Sequence, residues 1–242
     1  NHNWIADISS NFFKLIIIRW NLIFITWNDL NSGFFSQCFC CYFYEAFLHE
    51  PATAERFDNL VSYNGNNTVG IAKSLAVFSA FAEGVSLYSA FAVLYSFQLR
   101  NLLKGIGQQM KWSVRDESLH SKMGCALFRH MCEEDNQLLN LCREDVIKAA
   151  KTMVDLEIKY IDKMFEMGDI EGISSNDLKH FIKKRTNEKL VELGYVDLGN
   201  YFAYDTKAAG NLDWFYHLTG GVTHTDFFAI RPTDYSKANE GE

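Results

Sequence analysis

The sequence predicts an all-α protein built as a helical bundle, and three observations carry that expectation. Only two prolines occur, Pro51 and Pro232, so about 180 residues between them contain no helix breaker. Within that span, apolar residues recur at helical rather than alternating spacing over several long stretches. Finally, 48% of the 242 residues are apolar and 15% aromatic, enough to bury one sizeable core.

Element by element, EAFLHEPATAERFDNLVSYN reads as a short helix, a break at Pro51 and a second short helix. GNNTVGIAK is a turn in which Asn67 or Thr68 can cap the next helix. Val69 to Leu99 then has the pattern of a long helix, with Ile71, Leu75, Phe78, Ala82 and Val85 at helical spacing. It is apolar nearly all round, as a helix at the centre of a bundle would be. LLKGIGQQ makes the connection to a second long helix, about Ile106 to Glu133. Two amphipathic helices come after it, roughly Arg143 to Met167 and Ser175 to Leu193, joined by the glycine-containing GDIEGISS. After Gly194 the periodicity dissolves into a Gly- and aromatic-rich region ending DYSKANEGE.

The first 43 residues differ in style. NFFKLIIIRWNLIFITWNDLNSGFF is rich in Phe, Ile, Asn and Trp without a clean period, and it resembles translated AT-rich non-coding DNA. Lys14, Arg19, Asn21 and Asn28 interrupt the apolar run before it reaches the ~20 residues of a spanning helix, so no membrane segment is expected. The chain therefore divides into an atypical segment, 1–43, and a helical domain, 44–242. A formal charge of −7 argues against nucleic acid as a partner. Six cysteines, three of them crowded at Cys38, Cys40 and Cys41 and three in or near helical sequence, suggest reduced thiols in a cytoplasmic protein rather than a disulfide framework or a zinc site. There is no internal repeat, Walker loop or dinucleotide fingerprint.

Two features point to chemistry. Glu83 sits in the middle of the most apolar helix, where a charged carboxylate costs several kcal/mol unless it is paired, neutralised or metal-bound. RDESLH places Glu117 and His120 three apart on a helix, side by side on one face. A simple hairpin about Lys104–Gly105 leaves Glu83 and Glu117–His120 offset by roughly 8 to 12 Å along the axis. The offset closes if the first helix ends near Phe97 or Arg100. Read structurally, Glu83 would pair with Arg115 or Lys104 and His120 would be a satisfied core histidine. Taken together, a buried Glu followed by Glu-x-x-His on the next helix is the half-site pattern of di-metal carboxylate bundles.

FAEGVSLYSAFAVLYSF and GIGQQMKWSVRDESLHSKMGCALFR resemble the second half of the metal site in the small (β, R2) subunit of aerobic class I ribonucleotide reductase. VDLEIKYIDKMFEMGDIEGISSNDLKHFIKKRTNEKLVELGY and HTDFFAIRPTDYSKA continue the resemblance over roughly residues 44–240. It implies a ferritin-like bundle in which Glu83, Glu117 and His120 are metal ligands and Asp116 is a carboxylate hydrogen-bonded to a metal-bound histidine. Tyr88 and Phe91 fall where the family packs aromatic side chains near the metals. The implied cofactor is a di-iron, di-manganese or mixed manganese–iron cluster. It activates dioxygen and generates a radical, usually on a tyrosine, which passes to a cysteine of the large subunit for ribonucleotide reduction. The large subunit is the implied partner, and a homodimer is expected.

The family's first half-site, a carboxylate and a second Glu-x-x-His with the radical tyrosine beyond it, has no counterpart in residues 1–43. Glu45 and His49 are four apart. The chain thus reads as a bundle lacking its N-terminal helices, carrying no recognisable radical tyrosine and inactive alone. A related ferritin-like oxidase and an inactive fragment with only an interaction role are the alternatives.

Overall fold

The computed structural model describes residues 67–215, together with Pro51, Ala54 and Glu55. Of the two units into which the chain divides, Asn1–Ile71 and Ala72–Glu242, the second holds the described helices beyond the first turn of α1. Apart from Pro51, Ala54 and Glu55, the expected helices over 44–63, and the whole segment 1–43, lie outside the described residues.

Helix α1 spans Thr68–Val77. Asn67 caps it, its Oδ1 accepting the Gly70 N–H at 2.8 Å, as the sequence suggested. At Phe78 the backbone widens into a π-helix that runs to Ser86, then returns to α-helix as α2, Tyr88–Leu99. The unbroken α-helix expected over 69–99 is therefore a rod of three pieces. The apolar pattern could not show this, because an inserted residue in a stretch apolar all round moves one apolar side chain into the place of another. By length and composition the rod could cross a membrane. However, 78% of its most apolar window is buried inside the protein, which makes it the core helix of the bundle.

The turn after Leu99 is tight. Asn101 and Leu103 take left-handed backbone, φ 60° and 47°, and α3 begins at Lys104 and runs to Glu134. Such a conformation costs Leu103 of order 1 kcal/mol or more, tolerated because the two helices it joins pack against each other over their length. Close approach is fixed by two small residues. A Cβ on Gly107 would lie 2.2 Å from Gln98 Oε1, and one on Gly124 would lie 1.8 Å from Ser79 Oγ.

Helix α4 (Leu138–Met164) and α5 (Ser175–Glu192) complete the layers around the rod. Ser174 caps α5 by accepting the Asp177 N–H at 3.0 Å. The link between them turns at Gly168 and Gly172, both at positive φ, with a bridge between Ile170 and Ile173. Beyond Gly194 the sequence periodicity dissolves and names no element. Instead the chain forms a 3₁₀ turn, Val196–Leu198, and a short α6, Thr206–Gly210. The Asn187 side chain holds this region in place: its Nδ2 donates to the Phe202 carbonyl and its Oδ1 accepts the Phe202 N–H, both at 2.9 Å. These elements are too short for periodicity to reveal. Phe181 of α5, Phe215 and Tyr88 of α2 stack edge to face in the core, with centroids 5.8 and 6.0 Å apart. The described residues contain no strand, in keeping with the all-α expectation.

Candidate metal centre

Glu83 lies within the π-helical segment and Glu117 and His120 on α3, and the hairpin brings them to one level. The first rod ends at Leu99 and α3 begins at Lys104, so Glu83–Leu99 and Lys104–Glu117 differ in length by three residues. That is ~4.5 Å of helical rise. The axial offset expected from a turn centred on Lys104–Gly105 is thus narrowed by ending the first helix early. One donor atom from each of Glu83, Glu117 and His120 lies within 4.8 Å of the others.

The electrostatics of the site are set by two buried carboxylates. Glu83 and Glu117 are each 6% exposed. Glu83 makes no hydrogen bond or ion pair among the described residues, and its Oε1 is buried without a partner. The pairing with Arg115 or Lys104 considered from sequence is not formed. Burial first, and the neighbouring Glu117 second, push the Glu83 carboxyl up to about 8. Burial likewise raises Glu117, with Asp116 adding to the rise and His120 opposing it. His120 Nδ1 lies 3.4 Å from Glu117 Oε2, and its side chain remains 42% exposed. An orphaned buried carboxylate oxygen, a second buried carboxylate and an imidazole nitrogen are a donor set that suits iron or manganese.

Around these three, Asp116 is exposed and makes no hydrogen bond to His120 among the described residues. Tyr88 and Phe91 are buried and meet edge to face at 5.7 Å. The Tyr88 hydroxyl shares a 2.7 Å hydrogen bond with Ser118, the residue after Glu117.

Sequence reasoning did not single out two charges of α5 that lie behind the site. Arg185, 6% exposed, donates from Nε to the Gly84 carbonyl and lays its guanidinium 3.4 Å from the Tyr88 ring centroid. Lys189, also buried, pairs with Glu192 at 2.6 Å. A further buried carboxylate, Glu157 of α4, accepts the Ser89 hydroxyl at 2.7 Å. The spacing of Phe181, Arg185 and Lys189 on one helical face was the available signal, obscured by the other charges of KKRTNEK.

The profile of the family described as "Ribonucleotide reductase, small chain" matches residues 37–201. A protein of Invertebrate iridescent virus 3 named probable ribonucleoside-diphosphate reductase small subunit 048L is 34% identical over 193 residues. The match covers 78% of this chain and 50% of that protein. Small subunit 376L of Invertebrate iridescent virus 6, likewise named probable, is also 34% identical, over 70% of this chain and 52% of its own. The Chlamydia pneumoniae protein named ribonucleoside-diphosphate reductase subunit beta is 25% identical over 69% of this chain and 46% of its own. The chain spans about half the length of the curated relatives it matches. Family match and relatives agree with the helical architecture and with a carboxylate–histidine cluster of the di-metal type, and on those grounds the chain belongs to the ribonucleotide reductase small-chain family.

Proposed function

We propose that this chain provides the Glu83–Glu117–His120 half of the di-metal centre of a ribonucleoside-diphosphate reductase small subunit. The observation that carries the reading is the buried, partnerless Glu83 Oε1 in a donor group no more than 4.8 Å across. Burial first and the neighbouring Glu117 second push the Glu83 carboxyl up to about 8, and a divalent cation at the same place would remove the reason for its bound proton. Glu117 offers a second carboxylate oxygen, and its neighbour His120 adds a ring nitrogen. Tyr88, whose hydroxyl is bonded to Ser118 beside Glu117, and Phe91 are buried next to one another. The chemistry that iron or manganese supplies when bound there is dioxygen activation and production of the radical passed to the large subunit. A dinuclear bundle site takes two Glu and two Glu-x-x-His contributions, so these residues account for one half of it.

The test is metal content. The 242-residue chain, reconstituted with Co(II) as a spectroscopic stand-in, is expected to take up about one ion per chain, and Glu117→Ala is expected to abolish that uptake. Equal uptake by wild type and Glu117→Ala removes the reading. Copurification with a large reductase subunit, from cells producing both, separates it from a ferritin-like oxidase.

A further inference from the structure

Resting on the half-site reading above, we infer that Arg185 is a positioning residue that sets the spacing of Glu83 and Glu117. The two carboxylates lie on different helices, and no hydrogen bond or ion pair joins them among the described residues. Arg185 reaches both arms. Its Nε–H donates to the carbonyl of Gly84, the residue after Glu83, within the π-helical segment. Its guanidinium covers the ring of Tyr88, whose hydroxyl is hydrogen-bonded to Ser118, the residue after Glu117. One planar cation therefore links the peptide beside one ligand to the side-chain hydroxyl beside the other, through a single aromatic ring.

The chemistry favours a dedicated role. Arg185 is buried and forms no ion pair among the described residues. A buried guanidinium with no carboxylate to face is costly unless other contacts offset it. The contacts it has are a charge-assisted bond to a carbonyl and a desolvated cation–π contact, both strong in a water-poor interior. Lysine at 185 could place a point charge over the ring but lacks the fork that binds the carbonyl and covers the ring together. Gly84 is closely packed from two sides: a Cβ there would lie 2.7 Å from Ser121 Oγ of α3 and 2.8 Å from Lys189 Cε, on the same face of α5 as Arg185. The α5 face thus presses directly on the π-helical turn that carries Glu83.

Visible-absorption titration of the 242-residue chain with Co(II), alongside urea unfolding of the metal-free protein, tests this. Residues that orient ligands change metal affinity by about 10- to 100-fold. Arg185→Met is expected to bind Co(II) about tenfold more weakly with shifted absorption bands, and Arg185→Lys to recover part of that loss. Because Arg185 and Ser118 act through Tyr88, the Arg185→Met and Ser118→Ala losses are expected not to multiply in the double variant. If Arg185→Met does not fold, Tyr88→Phe carries the test: it keeps the ring under Arg185, cuts the link to Ser118, and should weaken binding several-fold. Unchanged Co(II) affinity and spectrum in Arg185→Met, or in Tyr88→Phe, overturns the inference while wild-type uptake leaves the half-site reading standing. Multiplying losses in the double variant also overturn it. Wild-type protein that takes up no Co(II) overturns both.

Discussion

Replacing Glu83 with Gln separates the cost of a buried carboxylate from the shape of its side chain. In the metal-free fold the Glu83 carboxyl is held protonated up to about 8, whereas an ordinary glutamate loses its proton near 4.5. The folded state therefore binds a proton that the unfolded chain has released, and stability falls as pH rises between those two values. The contribution is complete below about 4.5 and fully lost above about 8. At ~1.36 kcal/mol per pH unit the whole loss is on the order of 5 kcal/mol, and about 3 kcal/mol has gone by pH 7. Glu117, also raised by burial, adds a loss of the same sign. Glu83→Gln keeps the shape of the neutral acid but cannot ionise. Urea unfolding of metal-free wild type and Glu83→Gln at pH 5, 6, 7 and 8 is expected to show the variant gaining on wild type by about 1 kcal/mol per unit. Metal should reverse the ranking. Co(II) replaces the proton on Glu83, so wild-type affinity should rise with pH by up to about tenfold per unit across the same window, while Glu83→Gln binds weakly throughout. Parallel stability curves for the two proteins from pH 5 to 8 would refute the argument.

Other perturbations probe how the site is framed. Gly124→Val pushes a branched side chain into Ser79 where α3 meets the π-helical segment, and should cost about 3 kcal/mol in urea unfolding and weaken Co(II) binding; an unchanged midpoint would count against the close helix contact. Asn187→Ala removes both bonds to Phe202 and is expected to cost about 2 kcal/mol and to speed amide exchange over residues 196–210 while leaving α3 unaffected. Phe181→Ala, which empties the space beneath Phe215, should cost about 4 kcal/mol, read by thermal or urea midpoint. Tyr195→Phe removes the 2.9 Å bond to the Leu139 carbonyl at about 1 kcal/mol and should leave Co(II) affinity as it was.

How much of this was legible in the sequence depended on whether a residue stood out from its neighbours. Glu83 did, because it is the one acidic residue in an apolar rod, and its burial without a partner is what that isolation implies. Glu117 and His120 did, because a spacing of three on a helix admits few arrangements. The π-helical turn did not, since an apolar face tolerates an inserted residue without breaking its pattern. It nonetheless carries Glu83, and the early end of the rod at Leu99 brings that carboxylate level with α3. Arg185 and Lys189 were hidden for the opposite reason. Among Lys183, Lys184, Arg185, Glu188 and Lys189 a charge is unremarked, and local sequence does not say which of them turns inward. Only the helix opposite decides that. Arg185 turns inward where both the Tyr88 ring and the Gly84 carbonyl are within its reach, and a guanidinium can satisfy both. The candidate ligands were thus readable from α3 and the rod alone, whereas the group proposed to fix their spacing required a third helix. That places it among tertiary contacts that periodicity cannot encode.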